Sequence, residues 1–98
     1  MDVDGAVPFD DWMASLRDRR GAMRIAARIR RLTLGLEGDW KSVGDGVREL
    51  RIPEGPGYRV YYAWDGATVV LLLVGGDKST QNSDITAAKR YWRQYHAQ

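Results

Sequence analysis

Val47-Arg48-Glu49-Leu50-Arg51-Ile52, then Pro53-Glu54-Gly55-Pro56-Gly57, then Tyr58-Arg59-Val60-Tyr61-Tyr62-Ala63-Trp64: two runs of strand formers flank a five-residue breaker, and this stretch decides the fold. β-Branched and aromatic residues suit a pleated, half-buried surface, whereas Pro and Gly supply turn geometry. Asp65-Gly66 follows as a second hairpin turn. It leads into residues 68–74, which are apolar on both parities and predict a central strand covered on both faces. Gly75-Gly76 ends that strand. Three strands joined by short turns predict an antiparallel meander.

Moving outward, Pro8 marks a helix entry, and Phe9, Trp12, Met13 and Leu16 recur at spacings of three and four. The stripe breaks around Arg19-Arg20-Gly21. A second helix then carries Ala22, Ile25, Ile29 and Leu32 on one face and ends at Gly35. Residues 84–96 place Ile85, Ala88, Trp92 and Tyr95 on a last helical stripe. The expected fold class is α+β: an N-terminal helical hairpin packed on a small, mainly antiparallel sheet, with a C-terminal helix at an end or on the other face. Residues 2–6 would add an acidic edge strand. All of residues 1–98 read as one domain, because the chain is too short for a second core.

The absence of cysteine excludes disulfides, thiolate metal sites and cysteine nucleophiles, and the single histidine, His96, rules out histidine-based triads. No metal or cofactor is expected. The longest apolar run, residues 69–74, is far short of the ~20 residues that span a bilayer, so the expected location is the cytoplasm, with no membrane partner. Charge is uneven. Residues 1–16 carry four aspartates, whereas residues 17–31 carry seven arginines against Asp18.

Strand parity sends Leu50, Ile52, Val60 and Tyr62 to the core. Glu49, Arg51, Arg59 and Tyr61 then share an open face, and Lys78, just beyond the central strand, reaches the same surface. Arginines and a lysine in that arrangement bind a phosphodiester and stabilise charge building on it. Glu49 could take a proton from a ribose 2′-OH, and Tyr61 could stack on a base. The same alternation also fits a solvated sheet face with cross-strand ion pairs, and spacing alone does not separate the two. Residues 75–80 lack the glycine spacing of a phosphate-binding P-loop. Arg20, Arg24, Arg28 and Arg31 lie along one helix face. They read either as a solvated surface or as a contact for nucleic acid, ribosome or an acidic partner segment.

Several pieces taken in order carry a family likeness: Phe9-x-x-Trp12, Gly38-Asp39, Gly46-Val47-x-Glu49-Leu50-Arg51-Ile52, Gly55-Pro56-Gly57-Tyr58-Arg59-Val60-Tyr61, Leu71-Leu72-x-x-Gly75-Gly76-Asp77-Lys78-Ser79-x-Gln81 and Asp84-Ile85-x-x-Ala88. In this order they resemble the HigB-like branch of the RelE/ParE toxin superfamily, the addiction module killer proteins. The resemblance implies the toxin of a type II toxin–antitoxin module, silenced by a co-expressed helix-turn-helix antitoxin. It implies translation inhibition by metal-independent, ribosome-dependent mRNA cleavage. By position Arg59 matches the arginine of the family's Tyr-Arg strand and Lys78 a basic residue after the central strand. Arg51 stands where RelE-like enzymes carry a lysine. Glu49 replaces another lysine, and Asp84 stands where better-known relatives have a tyrosine. A ParE-like inhibitor of DNA gyrase, without nuclease activity, is the alternative, since the Glu-Leu-Arg-Ile strand occurs in that branch too.

Overall fold

A computed structural model describes residues 8–97, and the acidic strand expected at residues 2–6 lies outside them. The order is α1 (Pro8–Ser15), α2 (Arg19–Thr33), β1 (Trp40–Gly44), β2 (Val47–Ile52), β3 (Tyr58–Asp65), β4 (Val69–Asp77), a 3-10 turn (Lys78–Thr80) and α3 (Gln81–His96). The architecture is α+β, with one antiparallel sheet in the order β1-β2-β3-β4.

Four strands form where three were expected. Asp45 and Gly46 both adopt positive φ, 57° and 84°, in a two-residue loop between Gly44 and Val47. This is the primed turn whose twist suits a hairpin, and it adds β1 as the outer strand. The central strand also runs further than its glycines suggested, through Gly75-Gly76 to Asp77. A bulge puts Leu73 and Val74 together against α3 and turns Gly75 to the opposite side. There a Cβ at Gly75 would collide with the Trp12 ring, so the missing side chain lets α1 lie directly on β4.

The joint between the first two helices falls before Arg19, not at Arg19–Gly21. Asp18 caps α2 by accepting the Gly21 N–H at 3.0 Å, and its other oxygen accepts from the Tyr58 hydroxyl at 2.9 Å. Gly21 is thereby inside the helix, where a Cβ would come within 2.5 Å of Tyr58 Cε2. Helix α2 ends as expected, with Gly35 at φ 85°.

The sheet is covered twice. On one face Phe9, Ile25 and Leu32 pack on Leu50, Ile52, Val60 and Tyr62. On the other, Ala88 and Trp92 of α3 pack on Val47, Tyr61, Ala63 and Val74. Each large side chain so buried contributes about 1.5–3 kcal/mol, which fixes both helical layers on the sheet.

Candidate functional site

Strand parity was right about which side chains share a face, but that face is not open. Helix α3 roofs it, and both Glu49 and Tyr61 are fully buried. Tyr61 is therefore corrected from an exposed stacking platform to a buried support. Its hydroxyl donates to Glu49 Oε2 at 3.0 Å. Burial first, and then the Glu49 charge and hydrogen bond, push its phenol far above the usual range.

Glu49 collects four donors. Arg51 Nε and Arg59 Nη1 each reach Oε1 at 3.1 Å, while Tyr61 and Gln81 Nε2, the latter at 2.7 Å, reach Oε2. Burial alone would raise its pKa. The hydrogen bonds from Gln81, Arg51 and Tyr61 and the charge of Arg59 more than offset that, and hold it below 4.5. A carboxylate so satisfied stays ionised and has no open oxygen for a substrate proton, which weighs against Glu49 as a base.

Register explains why this carboxylate is needed. Arg51 and Arg59 are direct cross-strand partners in β2 and β3, and like charges in that position repel. Glu49, two residues before Arg51 and opposite Tyr61, neutralises one of the two charges from beneath. Arg59 is largely enclosed, with 14% of its side chain exposed, whereas Arg51 is 37% exposed. Among the described residues Gln94 Oε1 is the sole fully buried side-chain polar atom without a partner. The unspent guanidinium N–H groups of both arginines therefore open to solvent.

They open into a depression of about 270 Å³ lined by Asp39, Arg51, Pro53, Gly57, Arg59 and Lys78. Lys78 arrives from the 3-10 turn, whose start is capped by Asp77 accepting from Ser79 N at 2.8 Å. Arg51, Arg59 and Lys78 are thus brought together, with Glu49 beneath the two arginines and Asp39 in the same lining. Among the described residues no three His, Asp or Glu side chains gather as a potential metal-ligand set.

The arginine face of α2 divides. Arg20 and Arg31 are exposed, and Arg24 is exposed beside Glu54 at 3.7 Å. Arg28, expected on the same anion-facing surface, instead turns inward. It donates to the Arg51 carbonyl at 2.8 Å and to the carbonyls of Glu37 and Asp39 at 3.4 and 3.3 Å. The Asp39 carbonyl also accepts from the Arg51 N–H at 2.9 Å, so the guanidinium fork is held by backbone oxygens of the α2–β1 loop and of β2.

Two supporting residues had little sequence signal. Gln81 was visible only as the last residue of a family motif, since the final helix was expected to start at residue 84 and it starts at residue 81. Glu37 lies in the loop between α2 and β1, where nothing in the periodicity marks it.

Fold and site define a small α+β protein with a paired-arginine depression at one end of its sheet. The profile of the family described as Phage derived protein Gp49-like matches residues 11–93, and the chain belongs to that family. It is also 51% identical, over 87 residues, to an uncharacterized protein of Haemophilus influenzae, covering 89% of this chain and 88% of that protein. No solved structure matches the chain. Among the described residues no helix is long and apolar enough to cross a membrane.

Proposed function

We propose that this chain is the toxin of a toxin–antitoxin module and that it inhibits translation by cleaving mRNA on the ribosome. The Gp49-like family, associated with addiction-module killer proteins, supports the first part. The single observation that carries the second is the cross-strand pair Arg51–Arg59 over one shared, buried carboxylate, with Lys78 lining the same depression. Such a site has a net positive charge and preset donors, which suits the extra negative charge on a phosphodiester undergoing transfer.

In this reading Arg59, held rigidly by Glu49, stabilises the scissile phosphate. Arg51 positions the phosphate and Lys78 faces the leaving oxygen. Glu49 acts by aligning both arginines, and Tyr61 and Gln81 hold Glu49. Arg20, Arg24 and Arg31 meet ribosomal or mRNA phosphates, while Arg28 shapes the site from behind. The ribosome supplies substrate alignment, so a sparse set of groups suffices. The partners are the ribosome, mRNA and a silencing antitoxin of helix-turn-helix type. The place of action is the cytoplasm, and the 98 residues work as one domain.

Expression of the chain alone is expected to halt bacterial growth, with primer extension finding in-frame breaks in translated mRNA. Arg59→Ala, at equal abundance and with an unchanged melting temperature, lowers cleavage by roughly 10²-fold or more, the scale of losing a preorganised oxyanion donor. Growth arrest with gyrase-dependent DNA breaks and intact mRNA replaces this reading with gyrase inhibition.

A further inference from the structure

Cleavage by an internal ribose hydroxyl needs a proton acceptor, and every oxygen of Glu49 is engaged. Asp84, in the first turn of α3, is the carboxylate set over the same face of the sheet. It lies on Gly76, the direct cross-strand partner of Arg59. A Cβ at Gly76 would collide with Asp84 Oδ2 and come within 2.8 Å of Thr80 Oγ1, so the glycine makes room for the carboxylate. Cross-strand partners project to the same side, which sets Asp84 on the face of the sheet that carries Arg59.

The two carboxylates differ in their partners. Asp84 Oδ2 accepts one hydrogen bond, from the Thr80 hydroxyl at 2.5 Å. Its Oδ1 accepts none from the described residues and is not a buried atom, so it is open to an incoming group. The titratable groups that act on or feel it are Asp77 of β4 and Tyr61 of β3, while Arg59 of β3 is the cross-strand partner of the glycine beneath it and Lys78 precedes it in the 3-10 turn. Burial pushes Asp84 above 3.8, the Thr80 hydrogen bond opposes this, and the Asp77 charge adds to it.

Resting on the cleavage reading above, we propose that Asp84, rather than Glu49, is the catalytic base. As the ribose 2′-oxygen bonds to phosphorus, its proton passes to Asp84 Oδ1. The P–O5′ bond breaks, and the leaving 5′-oxygen takes a proton from the Lys78 ammonium. The products are a 2′,3′-cyclic phosphate and a 5′-hydroxyl. Exchange with water returns the proton from Asp84 to solvent and restores the ammonium of Lys78.

The test is single-turnover cleavage of mRNA in programmed ribosomes as a function of pH. The unmodified chain shows an acidic limb along which the rate rises with pH. Asp84→Asn lowers the rate roughly 10²–10⁴-fold, the usual range for losing a general base. It abolishes that limb and keeps ribosome co-sedimentation, and Asp84→Glu recovers part of the rate. Thr80→Ala removes the one donor that stabilises the carboxylate, and so moves the limb to higher pH. This shift keeps the assignment testable if Asp84→Asn fails to fold. Cleavage by Asp84→Asn at the unmodified rate, or an unmoved limb in Thr80→Ala, overturns the assignment while leaving the nuclease in place. Loss at Asp39→Asn with Asp84→Asn active transfers the role to Asp39. No cleavage by the unmodified chain overturns both readings.

Discussion

Two glutamates on opposite faces of one sheet each gather several donors, yet they do different things. Glu37 accepts from Arg48 Nη1 at 2.7 and 2.8 Å on its two oxygens, from the Tyr62 hydroxyl at 2.7 Å and from Trp64 Nε1 at 3.2 Å. One acid meets one base there, and the face of the Arg48 guanidinium is also occupied, 4.4 Å over the Trp40 ring. That hub pairs one acid with one base, so it ties the loop after α2 to the sheet and offers an anion no surplus charge. Glu49 serves two arginines with one charge, and a lysine stands nearby. The surplus positive charge and the unspent N–H groups point into the depression. The number of cations per buried carboxylate distinguishes a structural hub from an anion site.

The sharpest way to break this contrast is to delete each carboxylate. Glu49→Ala leaves two neighbouring guanidinium groups and a buried phenol without their acceptor. Removing one partner of a buried pair is expected to cost about 3 kcal/mol here, the low end of the range because Arg51 reaches water. Glu37→Ala, in a hub that is 19% and 35% exposed at its two charged members, is expected to cost about 1–2 kcal/mol. Urea unfolding measures both, and equal losses would remove the distinction.

Acid gives a milder form of the same experiment, because a protonated carboxyl keeps part of its hydrogen bonding. Both glutamates are held below their ordinary value of 4.5 in the folded chain. Their stabilisation is therefore complete above that pH and is lost as pH falls through the lowered folded values. Asp84, held above 3.8, has the opposite sign and offsets a little of the loss. Glu37→Gln and Glu49→Gln should each flatten the acid limb of stability against pH. A limb unchanged in both variants would mean that neither carboxylate is coupled to folding.

Arg28 joins the two hubs, since its guanidinium holds the carbonyls of both Glu37 and Arg51. Arg28→Gln is expected to cost about 1–2 kcal/mol, consistent with loss of charge-assisted hydrogen bonds. Arg31→Gln, on the exposed side of the same helix, should change stability by under ~0.5 kcal/mol. It should flatten the salt dependence of ribosome co-sedimentation instead. If the two variants behave alike, α2 presents one uniform arginine surface, and the inward role of Arg28 fails.

Much of this molecule was legible one segment at a time. The 3.6-residue stripes of α1, α2 and α3, the alternation of residues 47–52 and the breaker at residues 53–57 each report local geometry, so they located helices, strands and the shared face of Glu49, Arg51 and Arg59. Even there β1 was passed over, although Asp45-Gly46 carries the same turn signal as Asp65-Gly66. Only tertiary structure decided the rest, because it depends on residues far apart in the chain. Parity says which side chains point the same way but not what covers them. That α3 buries Tyr61 and Glu49, that Gln81 completes the Glu49 hub from 32 residues away, and that Arg28 turns inward rather than out all follow from where a helix docks. Docking is set by the bulge at Leu73 and by the bare backbones of Gly75 and Gly76, which admit Trp12 on one side of the sheet and Asp84 on the other.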